Sequence, residues 1–199
     1  MNARHSLIAI ALVITTAAIT TTVVSQQAQD TPGTPPARAQ KPEVPDQMTP
    51  GPAHKFMAKY VGEYTTKVKF TAPGQETMES EGKSRITSML DGRFFLDENT
   101  GVMMSLPYKA LHYTGYNNGT KQYESCWTWN MDTGMLNLTG TSDDEGKTIN
   151  WKGAFTNPAG EKENLIVTTR HIDDDHFTIE MRGEGDEAGA MITEYTRVK

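Results

Sequence analysis

Residues 84–101, SRITSMLDGRFFLDENTG, leave little choice of local structure. Asp91-Gly92 stands between two runs rich in apolar residues. A two-residue Asp-Gly loop is the strongest local signal for a β-hairpin, because Gly accepts the positive φ that the turn requires. Later segments repeat the plan of strand, tight polar turn and strand. Strands are predicted at 64–70, 77–90, 93–100, 109–116, 121–129, 134–142, 147–156, 161–172, 176–182 and 191–198. Residues 101–107 (GVMMSLP) interrupt the rhythm. One short amphipathic helix is expected at 52–61 (PAHKFMAKYV), ended by Gly62. Ten strands with no crossover helix make an antiparallel meander. Such a sheet escapes its exposed edges most simply by closing into a barrel. Eight strands suffice to hold one small ligand, so ten should leave a cavity unless large side chains fill it.

The chain is expected to divide into residues 1–25, 26–52 and a single β-barrel domain at 53–199. Arg4, the apolar run 7–18 and the small residues before position 26 have the layout of a secretory signal peptide, cleaved after Ser25. That implies an exported, periplasmic or secreted protein with no stable membrane span after cleavage. The alternative is an uncleaved anchor, since residues 7–24 carry no charge, although their five threonines and poor flanking charge make a weak permanent span. Seven of the ten prolines fall between Pro32 and Pro52, a composition suited to an extended tether. Cys126 is the sole cysteine, so no internal disulfide can form and the core must stabilise the fold. The 25 acidic residues outnumber 19 basic ones and no basic run occurs, which argues against nucleic acid as a partner.

Loop length sets strand register, so faces can be propagated from hairpin to hairpin. Four-residue loops place His112 opposite Ser125, Trp127 opposite Leu136, Leu138 opposite Trp151, and Trp151 opposite Ile166. One face then collects Tyr123, Trp127, Leu136, Leu138, Ile149, Trp151, Ile166 and Ile172. The same propagation turns His112, Ser125, Thr168 and Arg170 inward, and Cys126, Glu124, Lys152 and His171 outward.

The chain resembles the uncharacterised bacterial family of domain of unknown function 1579. The resemblance rests on Gly51-Pro52-Ala53-His54, Val61-Gly62-Glu63-Tyr64, Leu90-Asp91-Gly92-Arg93-Phe94, Gly101-Val102-Met103-Met104 with Pro107, Thr114-Gly115-Tyr116-Asn117 and Ile172-Asp173-Asp174-Asp175. It implies a lipocalin-like or nitrobindin-like barrel and carries over no functional residues.

The expected fold is therefore an all-β, lipocalin-like barrel with one short N-terminal helix. The expected function is binding of a small apolar or amphipathic molecule in its interior. Ligand-contacting candidates are His112, Arg170, Tyr123, Trp127, Trp151 and Ser125, with Arg170 grasping a carboxylate and His112 and Tyr123 orienting the rest. No catalytic residue, metal ligand or cofactor is assigned, and whether the chain is an enzyme stays open, with binding preferred. His171 and His176 flank three aspartates, but the side chains on a tight turn point apart, so this reads as a solvated hairpin tip. His54 reads as packing the helix onto the barrel. Two alternatives remain: an interaction protein with a filled barrel, and a haem- or metal-dependent nitrobindin-like protein.

Overall fold

The computed structural model describes residues 45–103, 105–156, 160–185 and 189–199. The expected signal peptide and most of the expected tether lie outside them. The tether's last residues are held against the barrel: Asn118 Nδ2 donates to the carbonyls of Asp46 (3.2 Å) and Thr49 (2.8 Å), and Arg93 Nη2 donates to that of Met48 (2.9 Å).

Ten antiparallel strands follow in order: β1 (Gly62–Thr71), β2 (Met78–Met89), β3 (Phe94–Met103), β4 (Leu106–Asn117), β5 (Gln122–Trp129), β6 (Leu136–Thr141), β7 (Thr148–Thr156), β8 (Lys162–His171), β9 (His176–Gly183) and β10 (Ala190–Arg197). Each pairs with its sequence neighbours, and β1 pairs with β10 from Tyr64↔Arg197 to Thr71↔Ala190, so the sheet closes. Closure gives the first and last strands partners for backbone groups that would otherwise template aggregation. The 91–92 turn is present, with paired positions ending at Met89↔Phe94. Leu90, Asp91 and Gly92 all take positive φ (48°, 58°, 81°). Residues 101–107 depart from the expectation of an irregular segment: the ladder continues through Val102↔Pro107 to Met103↔Leu106.

Alternation explains which side chains meet inside. Tyr64 and Thr66, Ser84 and Ile86, Phe95 and Asp97, Tyr123, Ser125 and Trp127, and Leu136 and Leu138 are buried at every second position. Gly140 lets Trp151 lie flat on the wall, since a Cβ there would approach Trp151 Cε3 to 2.7 Å. Trp127 and Trp151 share one core cluster, as the propagated faces require.

The propagation fails after β7. Trp151 faces Val167, and the last pair is Thr156↔Lys162, so five residues separate the paired positions. An odd count reverses every later face on β8. Leu165, Val167 and Thr169 are buried in place of Ile166 and Thr168. Arg170 is exposed on the outer surface, and Ile172 is exposed as well. His171 turns the other way from the expectation, packing its ring edge against Phe56 (5.3 Å) and Tyr60 (5.7 Å).

One end of the barrel is plugged. Helix α1 (Pro52–Met57) starts with Pro at its first turn, and the Gly51 N–H donates to His54 Nδ1 at 3.1 Å. A 3-10 turn (Ala58–Tyr60) completes the segment where one continuous helix was expected. Met57 is almost fully buried, and His54 packs edge-on to Tyr116, which is the structural role expected for it. Tyr60, Tyr64, Phe177 and Tyr195 form a connected aromatic layer beneath, with Phe177 and Tyr195 stacked at 4.1 Å. Arg197 ties the plug down, donating to the carbonyls of Lys59 (2.7 Å), Val61 (2.8 Å) and Asp174 (2.9 Å) while lying over the Tyr64 ring.

Candidate functional site

The interior has two compartments. Near the plug is a cavity of about 60 Å³ lined by Met57, Asp97, His112, Trp151 and Thr169 among others. At the opposite end, where β2, β4, β6, β8 and β10 begin, lies an open cavity of about 860 Å³. Its wall is mostly apolar: Phe70, Met103, Trp127, Trp129, Phe155 and Leu165 contribute, with Tyr108 as a phenol. His112 borders the smaller space and Trp127 the larger. Their rings stack at 3.9 Å and 22°, so this pair forms the partition between them.

His112 Nε2 lies 2.8 Å from both Ser125 Oγ and Thr114 Oγ1. Burial pushes its pKa down to about 3, so the ring is neutral near pH 7. Opposite it across the β3–β4 ladder is Asp97, a buried carboxyl that the sequence reading overlooked. Ser84 Oγ donates to Asp97 Oδ1 at 2.6 Å, and Tyr195 OH approaches Oδ2 at 3.4 Å. Burial, only partly opposed by those donors, pushes Asp97 up to about 6. Trp127 Nε1 and Asn99 Nδ2 are buried with no hydrogen-bond partner among the described residues.

No hydrogen bond joins Asp97 to His112 among the described residues. A base must reach the proton it abstracts within about 3 Å. Both groups face a space that admits a few waters at most, at roughly 10–15 Å³ of such volume per molecule. Cys126 is half-buried and forms no disulfide. Around residues 171–176, His176 Nδ1 is 2.8 Å from Asp173 Oδ1 at the surface, and no cluster among the described residues could hold a metal ion.

Of the six ligand-contacting candidates, Trp127 alone borders the open cavity. His112 and Trp151 line the inner one, and Trp151 Nε1 donates to Thr169 Oγ1 at 3.0 Å. Ser125 is the partner of His112. Tyr123 packs between Tyr116 and Trp151 towards the plugged end. Arg170 lies outside and lines neither cavity. Tyr108 lies outside the strand expected at 109–116, whereas β4 starts three residues earlier at Leu106. Trp129 had a visible signal, standing two positions from Trp127 and so on the same face.

The haem alternative is poorly served by these side chains. No His or Cys borders the open cavity among the described residues, and the Nε2 of His112 already meets two hydroxyls. Its ring is also covered by Trp127.

A family model described as a protein of unknown function (DUF1579) matches residues 49–197. The chain belongs to that family. The crystal structure of Rv2717c from M. tuberculosis is similar over 75% of this chain and 99% of its own, with a TM-score of 0.57 and 14% identity. The S-type phycobiliprotein lyase CPES from Guillardia theta is similar over 73% and 92%, with a TM-score of 0.51 and 9% identity. At such identities the likeness is one of fold. No curated protein matches this chain.

Proposed function

We propose that the protein is a binding module that takes a small apolar or amphipathic molecule into the open end of its barrel. The observation that carries this reading is the cavity of about 860 Å³, walled mainly by apolar and aromatic side chains. Small-molecule sites typically span roughly 300–1,000 Å³ with this kind of lining. A filled interior, as an interaction protein would have, describes only the plugged half. Met78, Val102 and Leu106, at the open end, are exposed apolar side chains that favour partition of a greasy ligand.

Nile red should bind the purified protein at one site per chain, with a blue-shifted emission. Met181→Trp and Met191→Trp together should fill the mouth and weaken that binding at least tenfold, with the fold retained by circular dichroism. Absence of wild-type binding, or unchanged binding in the filled variant, would overturn the proposal.

We place this activity outside the cytoplasm, on the strength of the signal-like residues 1–25. Intact mass of the chain recovered from an exported fraction should show loss of those residues. Retention of the whole chain in the cytoplasm would count against export.

A further inference from the structure

Building on that binding reading, we infer that the buried part of the ligand carries a neutral hydrogen-bond acceptor, such as a carbonyl oxygen, received by Tyr108 and Trp129. Both residues are half-buried and line the open cavity. No side-chain hydrogen bond to another described residue is made by the Tyr108 hydroxyl or Trp129 Nε1, and neither is among the fully buried unpartnered atoms, so both are accessible from the cavity. They belong together: Ala110 pairs with Trp129, and Tyr108 stands two residues from Ala110 on the same face of β4. Diagonal neighbours of this kind come within about 7–8 Å, which one polar group between them can span.

The chemistry of the two groups selects the class of ligand. An indole N–H can only donate, and a phenol donates readily. Burial pushes the Tyr108 phenol up to about 12, so it keeps its proton at any physiological pH. Water can serve both donors while the cavity is open, and an apolar ligand that displaces it leaves them unpaired unless it brings an oxygen to accept from them. An anion is disfavoured. Asp97 adds to the upward shift of Tyr108, Glu79 and Glu163 stand among the lining residues, and Arg182 is the one cation among the described lining residues. A cation finds no buried counter-ion among the described lining residues either: Glu79 and Glu163 are exposed, and the buried carboxyl of Asp97 faces the inner cavity beyond the His112–Trp127 partition. What remains is an uncharged molecule with an apolar body and an oxygen acceptor.

Four naphthalenes of similar shape test this on the purified chain by equilibrium dialysis: 2-acetylnaphthalene, 2-ethylnaphthalene, 2-naphthoate and 1-(2-naphthyl)ethylamine. Tyr108→Phe and Trp129→Phe should each weaken binding of the ketone about three- to tenfold, the range of one net hydrogen bond. Binding of the ethyl compound should stay within about twofold. In the wild-type protein the naphthoate and the amine should bind more weakly than the ketone. The Trp129 indole N–H resonance should move downfield with the ketone and not with the ethyl compound, a readout that needs no variant. Equal losses for ketone and ethyl compound, no loss for either, a stationary indole resonance, or tighter binding of a charged probe would each overturn the inference. If 2-ethylnaphthalene also fails to bind wild-type protein, the binding reading falls too; if it binds, only the acceptor assignment is lost.

Discussion

Asp97→Asn should stabilise the barrel at pH 7.5 by up to about 3 kcal/mol relative to wild type, and that advantage should vanish near pH 4. The carboxyl is pushed from 3.8 to about 6 because folding buries it with one short donor, Ser84, and one longer contact, Tyr195. Between those values the folded chain holds a proton that the unfolded chain releases. Stability therefore falls as pH rises through this window, and the full penalty is present above pH 6. At about 1.4 kcal/mol per unit, a shift of roughly two units is worth about 3 kcal/mol. Asparagine keeps the shape, accepts from Ser84 and carries no charge at any pH. Urea midpoints of variant and wild type at pH 4, 5, 6 and 7.5 measure the difference directly. A difference that stays constant with pH would refute the assignment of Asp97 as the buried titrating group.

The opposite dependence is expected from His112→Gln. Here burial lowers the pKa from 6.5 to about 3, so below pH 6.5 the unfolded chain takes up a proton that the folded chain refuses. The native histidine therefore costs stability as pH falls, by about 3 kcal/mol between pH 7 and pH 4. Glutamine loses the stacking on Trp127 and should be less stable than wild type at pH 7.5. That deficit should shrink or reverse at pH 4, because the variant has nothing to protonate. The same urea series checks it, and a deficit that grows on acidification would show that the histidine is charged inside the barrel. Since Asp97 and His112 act with opposite sign between about pH 4 and 6, they offset each other in the wild-type protein. The double variant should remove both dependences, and any residual coupling measures the field between the two facing strands.

Much of this arrangement can be read from particular residues. Trp127, Leu136, Leu138, Ile149 and Trp151 share one buried face, and His112 still meets Ser125 at 2.8 Å although it pairs with Trp127 and not, as the propagated register expects, with Ser125. Two loop lengths were misjudged without harm. Tyr116 pairs with Tyr123, and Gly140 with Trp151, each displaced by two residues from the expected partner. An even displacement preserves the face. The odd count between β7 and β8 did not, and it exchanged Arg170 for Thr169 inside the barrel. Asp97 was legible in principle, being two residues from the buried Phe95. The loop lengths that propagate a face begin at β4, which leaves β3 without an assigned inner face.

Strand number and membership of the inner face on β4 to β7 were determined by the sequence alone. Alternation and turn chemistry act between residues adjacent in the chain, so they are written locally. The tertiary structure decided which side of β8 faces inward, that the helix closes one end, and that the other end is hollow. Those outcomes depend on how side chains from ten strands meet around a common axis, and no local pattern records the space they leave.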